Sequence, residues 1–169
     1  QLMKKWERFG ESFDIPVTDD MTRLTLDTIA LCGFHYRFNS FYSEKMHPFV
    51  DAMVSGLKEA GARTSRLPIA TSLMIPTQKR FESDIHYMQK VAQKLIDDRK
   101  HDPDGKQKSD LLTRMLFGID PVSGEGLSES NIAHQMITFL IAGHETTSGL
   151  LSFVTYFLLK NPETLKKAQ

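Results

Sequence analysis

A chain of 169 residues, 40% of them hydrophobic, is long enough to build one domain with a real core. Its 21 basic and 21 acidic residues cancel, so it lacks the basic excess of a protein that tracks nucleic acid or an anionic membrane. A single cysteine, Cys32, excludes an internal disulfide framework and any cysteine-rich zinc site. Asn39, Asn131 and Asn161 all fail the Asn-x-Ser/Thr glycosylation pattern, and with the lone cysteine this favours a reducing, cytoplasmic setting. The sequence opens without methionine, signal peptide or transit-peptide composition and closes in the first turns of an apparent helix. It therefore reads as an excerpt of a longer protein, one partial domain over residues 1–169.

The pattern is helical almost throughout. Thr18, followed by Asp19 and Asp20, is a plausible N-cap for a helix to about Cys32, with Gly33 as its stop. Met21, Leu24, Leu26, Ile29, Ala30, Leu31 and Cys32 fall on most sides of that helix, as in a buried one. Residues 36–42 carry only a weak strand signal. Phe49, Val50, Met53, Val54 and Leu57 recur at helical spacing and open a second helix just after Pro48. Residues 63–76 hold two prolines and several apolar residues and read as a connection. An amphipathic helix follows, with Phe81, Ile85, Met88, Ala92 and Leu95 on one face.

Residues 101–109 form a charged linker with two turn signals, Asp102-Pro103 and Asp104-Gly105. Leu111 to Phe117 is a short helix, and residues 120–126 are another turn-rich loop. The last helix starts near Ser128 and can run to Asn161 before Pro162, about 50 Å at ~1.5 Å per residue. The fold class is all-α, with one long central helix.

That long helix contains an anomalous turn. Between the apolar runs 136–141 and 150–159 sit Gly143, His144, Glu145, Thr146, Thr147, Ser148 and Gly149. Each glycine costs about 1 kcal/mol against alanine in a helix interior, and threonine is also a weak helix former. Local rules broken at one turn of an otherwise consistent element point to a functional site. Ala142 and Thr146 are i and i+4 and share a face. A helical threonine returns its hydroxyl to the i−4 carbonyl, here that of Ala142, and bends the helix. If that bond yields, a groove opens with a free carbonyl, a hydroxyl and room for water. Ala142 and Gly143 keep the groove shallow enough for a flat cofactor or a diatomic ligand. Glu145 in an apolar environment would be driven by desolvation towards its protonated form, which suits proton traffic.

Blander readings apply to parts of this turn. Small residues let a neighbouring helix cross closely, and a buried threonine can simply satisfy its own backbone. A transmembrane reading fails because Glu145 would sit mid-span, at roughly 2.5–3.5 kcal/mol. A zinc-protease motif needs a second histidine four residues after His144, where Ser148 stands. No metal ligand is expected in the chain.

The turn Ala142-Gly143-His144-Glu145-Thr146-Thr147 resembles the central helix of the cytochromes P-450, whose pattern is Ala/Gly-Gly-x-Asp/Glu-Thr-Thr/Ser. Residues 20–29, Cys32-Gly33-Phe34, residues 36–41 and residues 137–153 look like the self-sufficient fatty-acid hydroxylases of bacteria and fungi. In those proteins a P-450 domain is fused to a flavin reductase. The resemblance implies the helical part of the mostly-α P-450 fold and NADPH-dependent hydroxylation of fatty acids by dioxygen. It also implies haem, with FAD, FMN and NADPH serving the fused reductase domain.

Residue by residue, Thr146 resembles the threonine that steadies the activated oxygen and relays protons to it, and Glu145 its acidic neighbour in that relay. Ala142 and Gly143 would lie over the cofactor face, with Phe139, Thr146 and Thr147 near the macrocycle. Met53 and Leu57, with Thr138 and Ala142, resemble residues that line the fatty-acid channel, and residues 63–76 a mobile lid over it. Met53 and Leu57 could equally be plain core, and residues 63–76 a simple interhelix loop.

His144 is expected to be packed and hydrogen-bonded rather than an iron ligand. The family's Phe-x-x-Gly-x-Arg-x-Cys loop is absent around Cys32, which reads as a small core residue. The Glu-x-x-Arg pair is absent too, since Lys166 stands three residues after Glu163. The excerpt alone is therefore expected to bind haem unproductively and, with its apolar faces uncovered, to aggregate. Two alternatives carry no catalysis: a helical ligand-binding domain, and a P-450 relative that has lost its haem.

Overall fold

The computed structural model describes residues 1–9, 13–67 and 74–169. It contains seven α-helices among those residues: α1 Leu2–Trp6, α2 Val17–Phe34, α3 Pro48–Ser65, α4 Ile75–His101, α5 Leu111–Phe117, α6 Glu129–Lys160 and α7 Pro162–Ala168. The only β pairing among them is an isolated bridge between Ile119 and Gly126. The all-α expectation holds. Residues 36–42 form no strand; Asn39 turns into the left-handed region and a single 3-10 turn covers Ser40–Tyr42.

The chain divides into two compact units, Gln1–Glu44 with Phe139–Gln169, and Lys45–Thr138. In the second unit α3 packs along α4. Phe49, Val50, Ala52 and Met53 of α3 are buried, as are Met88, Ala92, Leu95 and Ile96 of α4. The apolar face read from the sequence of α4 is thus a core face in its second half. Pro48 at the first helical position of α3 has a preset φ, and His47 caps the end by accepting from the Phe49 amide at 3.1 Å. Arg99 donates to both carboxylate oxygens of Asp110, at 2.6 and 2.7 Å, in a buried pair. Asp110 also caps α5 through the Thr113 amide at 2.9 Å.

The first unit is built around α2. Its N-terminal end is fastened by Asp20, whose carboxylate accepts from Lys5 and from Trp6 Nε1, the latter at 2.7 Å. Arg23 donates to the carbonyls of Ser40, Ser43 and Glu44, which ties the segment after α2 back onto the helix. The end of α2 differs from the sequence reading. Gly33 lies inside the helix, and His35 takes the left-handed position instead, at φ 53°. The amide of the left-handed His35 donates to the Leu31 carbonyl at 3.0 Å, the αL form of helix closure, and the Tyr36 amide donates to the Ala30 carbonyl at 3.1 Å. Burial of Gly33 and Phe34 carries the helix past the expected stop. At the other end, Pro16 rather than Thr18 is the capping position.

Among the described residues no helix is long and apolar enough to cross a membrane. The connection over residues 63–76 includes 68–73, which lie outside the described residues.

Candidate active site on the central helix

Helix α6 runs unbroken through the anomalous turn. The hydroxyl of Thr146 donates to the Ala142 carbonyl at 2.8 Å, the i−4 bond expected from the sequence. Two further carbonyls of the same turn take side-chain donors. Ser148 Oγ donates to the Glu145 carbonyl at 2.9 Å, and Thr25 Oγ1, from α2, reaches the His144 carbonyl at 3.0 Å.

The expected site residues fall on two faces. Phe139, Ala142 and Thr146 are exposed and continue through Leu150 and Phe153, at 63% and 65% exposure, to Phe157. Their spacing of three and four residues makes one apolar stripe, interrupted only by the Thr146 hydroxyl. Gly143 and Thr147 turn instead towards α2. With Leu151 they form one wall of an apolar groove of about 410 Å³, whose other wall is Leu24, Thr25, Thr28, Ile29 and Cys32. A Cβ on Gly143 would lie 2.9 Å from Ile29 Cγ1 and 3.0 Å from its Cδ1, so glycine is what lets the two helices approach.

Glu145 is exposed, so the described residues do not supply the apolar environment expected around it. The buried ionisable group of the turn is His144, 2% exposed. Burial holds its pKa below the ordinary histidine value, against the opposing pull of Glu145 and of the Ile141 and Leu140 carbonyls. His144 is packed, as expected; the Ile141 and Leu140 carbonyls act on its ring, but Nδ1 makes no hydrogen bond of ordinary geometry among the described residues.

Of the expected channel residues, Met53 is fully buried and Leu57 exposed, both on α3 in the unit Lys45–Thr138. Thr138 closes that unit and returns its hydroxyl to the His134 carbonyl at 2.9 Å. Cys32 is exposed on the α2 side of the groove. It was expected in a core, but its position on α2 faces outward.

Sequence reasoning missed Thr25 and Ile29. The available signal was a threonine four residues from both Met21 and Ile29 on a helix apolar on most sides, where a polar group needs a partner.

The stripe tests whether a haem fits here. A broad flat apolar group needs an uncovered apolar surface with low relief, and Ala142 presents only a methyl group beside Thr146. Phe139, Leu150 and Phe153 offer apolar area on either side. The residues present fit one face of such a group. Among the described residues no cluster of three or more His, Cys, Asp or Glu side chains could hold a metal ion.

The family model for cytochrome P-450 matches residues 1–169, and the chain belongs to that family. It is 54% identical over its whole length to the bifunctional cytochrome P-450/NADPH–P-450 reductase 2 of Bacillus subtilis, of which it covers 16%. It is 52% identical, again over its whole length, to a self-sufficient cytochrome P-450 monooxygenase of Exserohilum turcicum, covering 16% of it. With a self-sufficient cytochrome P-450 monooxygenase of Phanerodontia chrysosporium, identity is 50% over 99% of this chain and 16% of the relative. The chain thus spans about a sixth of the length of the curated relatives it matches.

Proposed function

We propose that the whole protein is a haem-thiolate monooxygenase that hydroxylates fatty acids with dioxygen. Its electrons come from NADPH through a fused reductase carrying FAD and FMN, and it works in the cytoplasm. The present chain supplies the oxygen side of the active site and part of the substrate channel, and is inactive by itself. Relatives named as P-450/reductase fusions support the electron source. The observation that carries the reading is the Thr146–Ala142 hydrogen bond on an uncovered apolar stripe, beside an exposed carboxylate.

Haem, when bound, supplies the oxygen chemistry and the power to attack an unactivated C–H bond. The chain supplies surface and protons. Ala142 and Phe139 give the flat apolar wall, and Gly143 and Thr147 back it from the α2 side. The Thr146 hydroxyl has one proton, now directed at the Ala142 carbonyl. A polar ligand atom over the stripe competes for that proton, and rotation of the hydroxyl then frees the carbonyl to accept from water. Glu145, open to solvent, can replace each proton that passes. Met53, Leu57, Thr138 and Ala142 are the residues assigned to the fatty acid.

The test is the full-length polypeptide, reconstituted with haem and given NADPH and a medium-chain fatty acid. We expect the carbon monoxide band that thiolate ligation produces, and a hydroxylated product formed only with NADPH and dioxygen. A protein that shows the band yet yields no hydroxylated fatty acid would overturn the substrate assignment. One that takes up haem without the band would overturn the haem-thiolate reading.

A further inference from the structure

Three peptide carbonyls of the Ala142–Thr147 turn, those of Ala142, His144 and Glu145, accept a side-chain hydroxyl. Two of the donors, Thr146 and Ser148, belong to α6 itself and move with it. The third, Thr25, belongs to α2. Its hydroxyl has a single proton and three acceptors within reach: the carbonyls of Met21 at 3.0 Å, Thr22 at 3.2 Å and His144 at 3.0 Å.

A helical threonine can direct its hydroxyl at its own i−4 carbonyl. The single proton of Thr25 is therefore shared between the Met21 and His144 carbonyls, and the share that reaches His144 is a tether between two helices. The carbonyl it holds belongs to the peptide group that joins His144 to Glu145. Thr25 is buried, so water does not compete for the bond. A second observation points the same way. Gly143, next to the tethered peptide, meets Ile29 at a separation that a Cβ would not tolerate. Thr25 and Ile29 are four residues apart on one face of α2, and together they grip the backbone immediately before Glu145 and Thr146.

We propose that Thr25 is a positioning residue for the proton-relay turn: its hydroxyl fixes the His144–Glu145 peptide and so the direction in which Glu145 and Thr146 are presented. This rests on the role of Thr146 and Glu145 given above. Loss of the tether leaves the turn helical but looser, so protons arrive out of step and reducing equivalents escape as hydrogen peroxide.

The experiment uses the full-length protein with Thr25→Val, which keeps the shape without a donor, and Thr25→Ser, which keeps the donor. Thr25→Cys, a poor donor of similar size, takes the place of Thr25→Val if that variant does not fold. Amide hydrogen exchange across residues 144–149 should accelerate about fivefold in Thr25→Val, the worth of one ordinary net hydrogen bond, and return towards normal in Thr25→Ser. Peroxide formed per NADPH should rise in Thr25→Val and fall again in Thr25→Ser. Unchanged exchange over 144–149 overturns the proposal. So does faster exchange spread evenly over α2 and α6 with peroxide yield unchanged, the signature of a merely structural threonine. If no variant, the unaltered protein included, consumes NADPH, the functional reading fails, while local acceleration over 144–149 still supports the tether.

Discussion

Gly143 and Ile29 meet where α2 approaches the central helix, and a Cβ on the glycine would stand 2.9 Å from Ile29 Cγ1. Alanine at 143 gains about 1 kcal/mol in helix propensity and loses about 1–3 kcal/mol to overpacking. We expect Gly143→Ala to destabilise the intact protein, and Ile29→Ala to reverse much of that loss. Urea unfolding of the two single variants and the double variant measures the coupling. Additive effects would mean the helices separate freely at this point.

In the unit Lys45–Thr138, Arg99 and Asp110 make a buried bidentate pair. Burial alone would raise the Asp110 pKa, but the hydrogen bonds from Arg99 and Thr113 hold it below the usual carboxylate range. A depressed folded-state pKa contributes stability above the unfolded value and loses it as pH falls through the folded one. Arg99→Met should cost about 3–5 kcal/mol at neutral pH, because it strands a buried carboxylate. The same substitution should flatten the loss of stability on acidification. Thermal unfolding at neutral and acidic pH checks both.

His144 carries a pH dependence of its own. Its folded-state pKa is depressed by burial, so the unfolded chain takes up a proton before the folded one does. The stabilisation is complete above the unfolded histidine pKa, ~6.5, and declines as pH falls from there towards the lower folded value. His144→Phe should remove that decline while keeping the packing. Unfolding free energies on either side of that pKa, in both proteins, test the sign.

Much of the fold is legible in the sequence because caps and breakers are local. Pro48, Ser128 and Pro162 mark helix boundaries that the structure keeps to within a residue or so. The end of α2 is not legible in this way. Gly33 has the right identity for a stop, but burial of Phe34 and the left-handed His35 decide otherwise.

Within the site, the Thr146–Ala142 bond follows from i, i+4 geometry and was readable. The surroundings of Glu145 were not. Apolar neighbours along a chain do not say which face of a helix is covered, and Glu145 turned out exposed and His144 buried. The close approach to Ile29 and the Thr25 contact were also hidden, because pairing between distant helices leaves no local pattern.

The most direct test of the account is the coupling of electrons to product in the full-length protein with Thr146→Ala and Thr146→Ser. NADPH consumed, peroxide released and fatty acid hydroxylated are measured together. Loss of the hydroxyl should leave NADPH oxidation running while product per NADPH falls by about tenfold or more, as expected for removing a proton-transfer group, and Thr146→Ser should restore most of it. Equal coupling in Thr146→Ala and the unaltered protein would contradict the assignment of this turn as the proton relay.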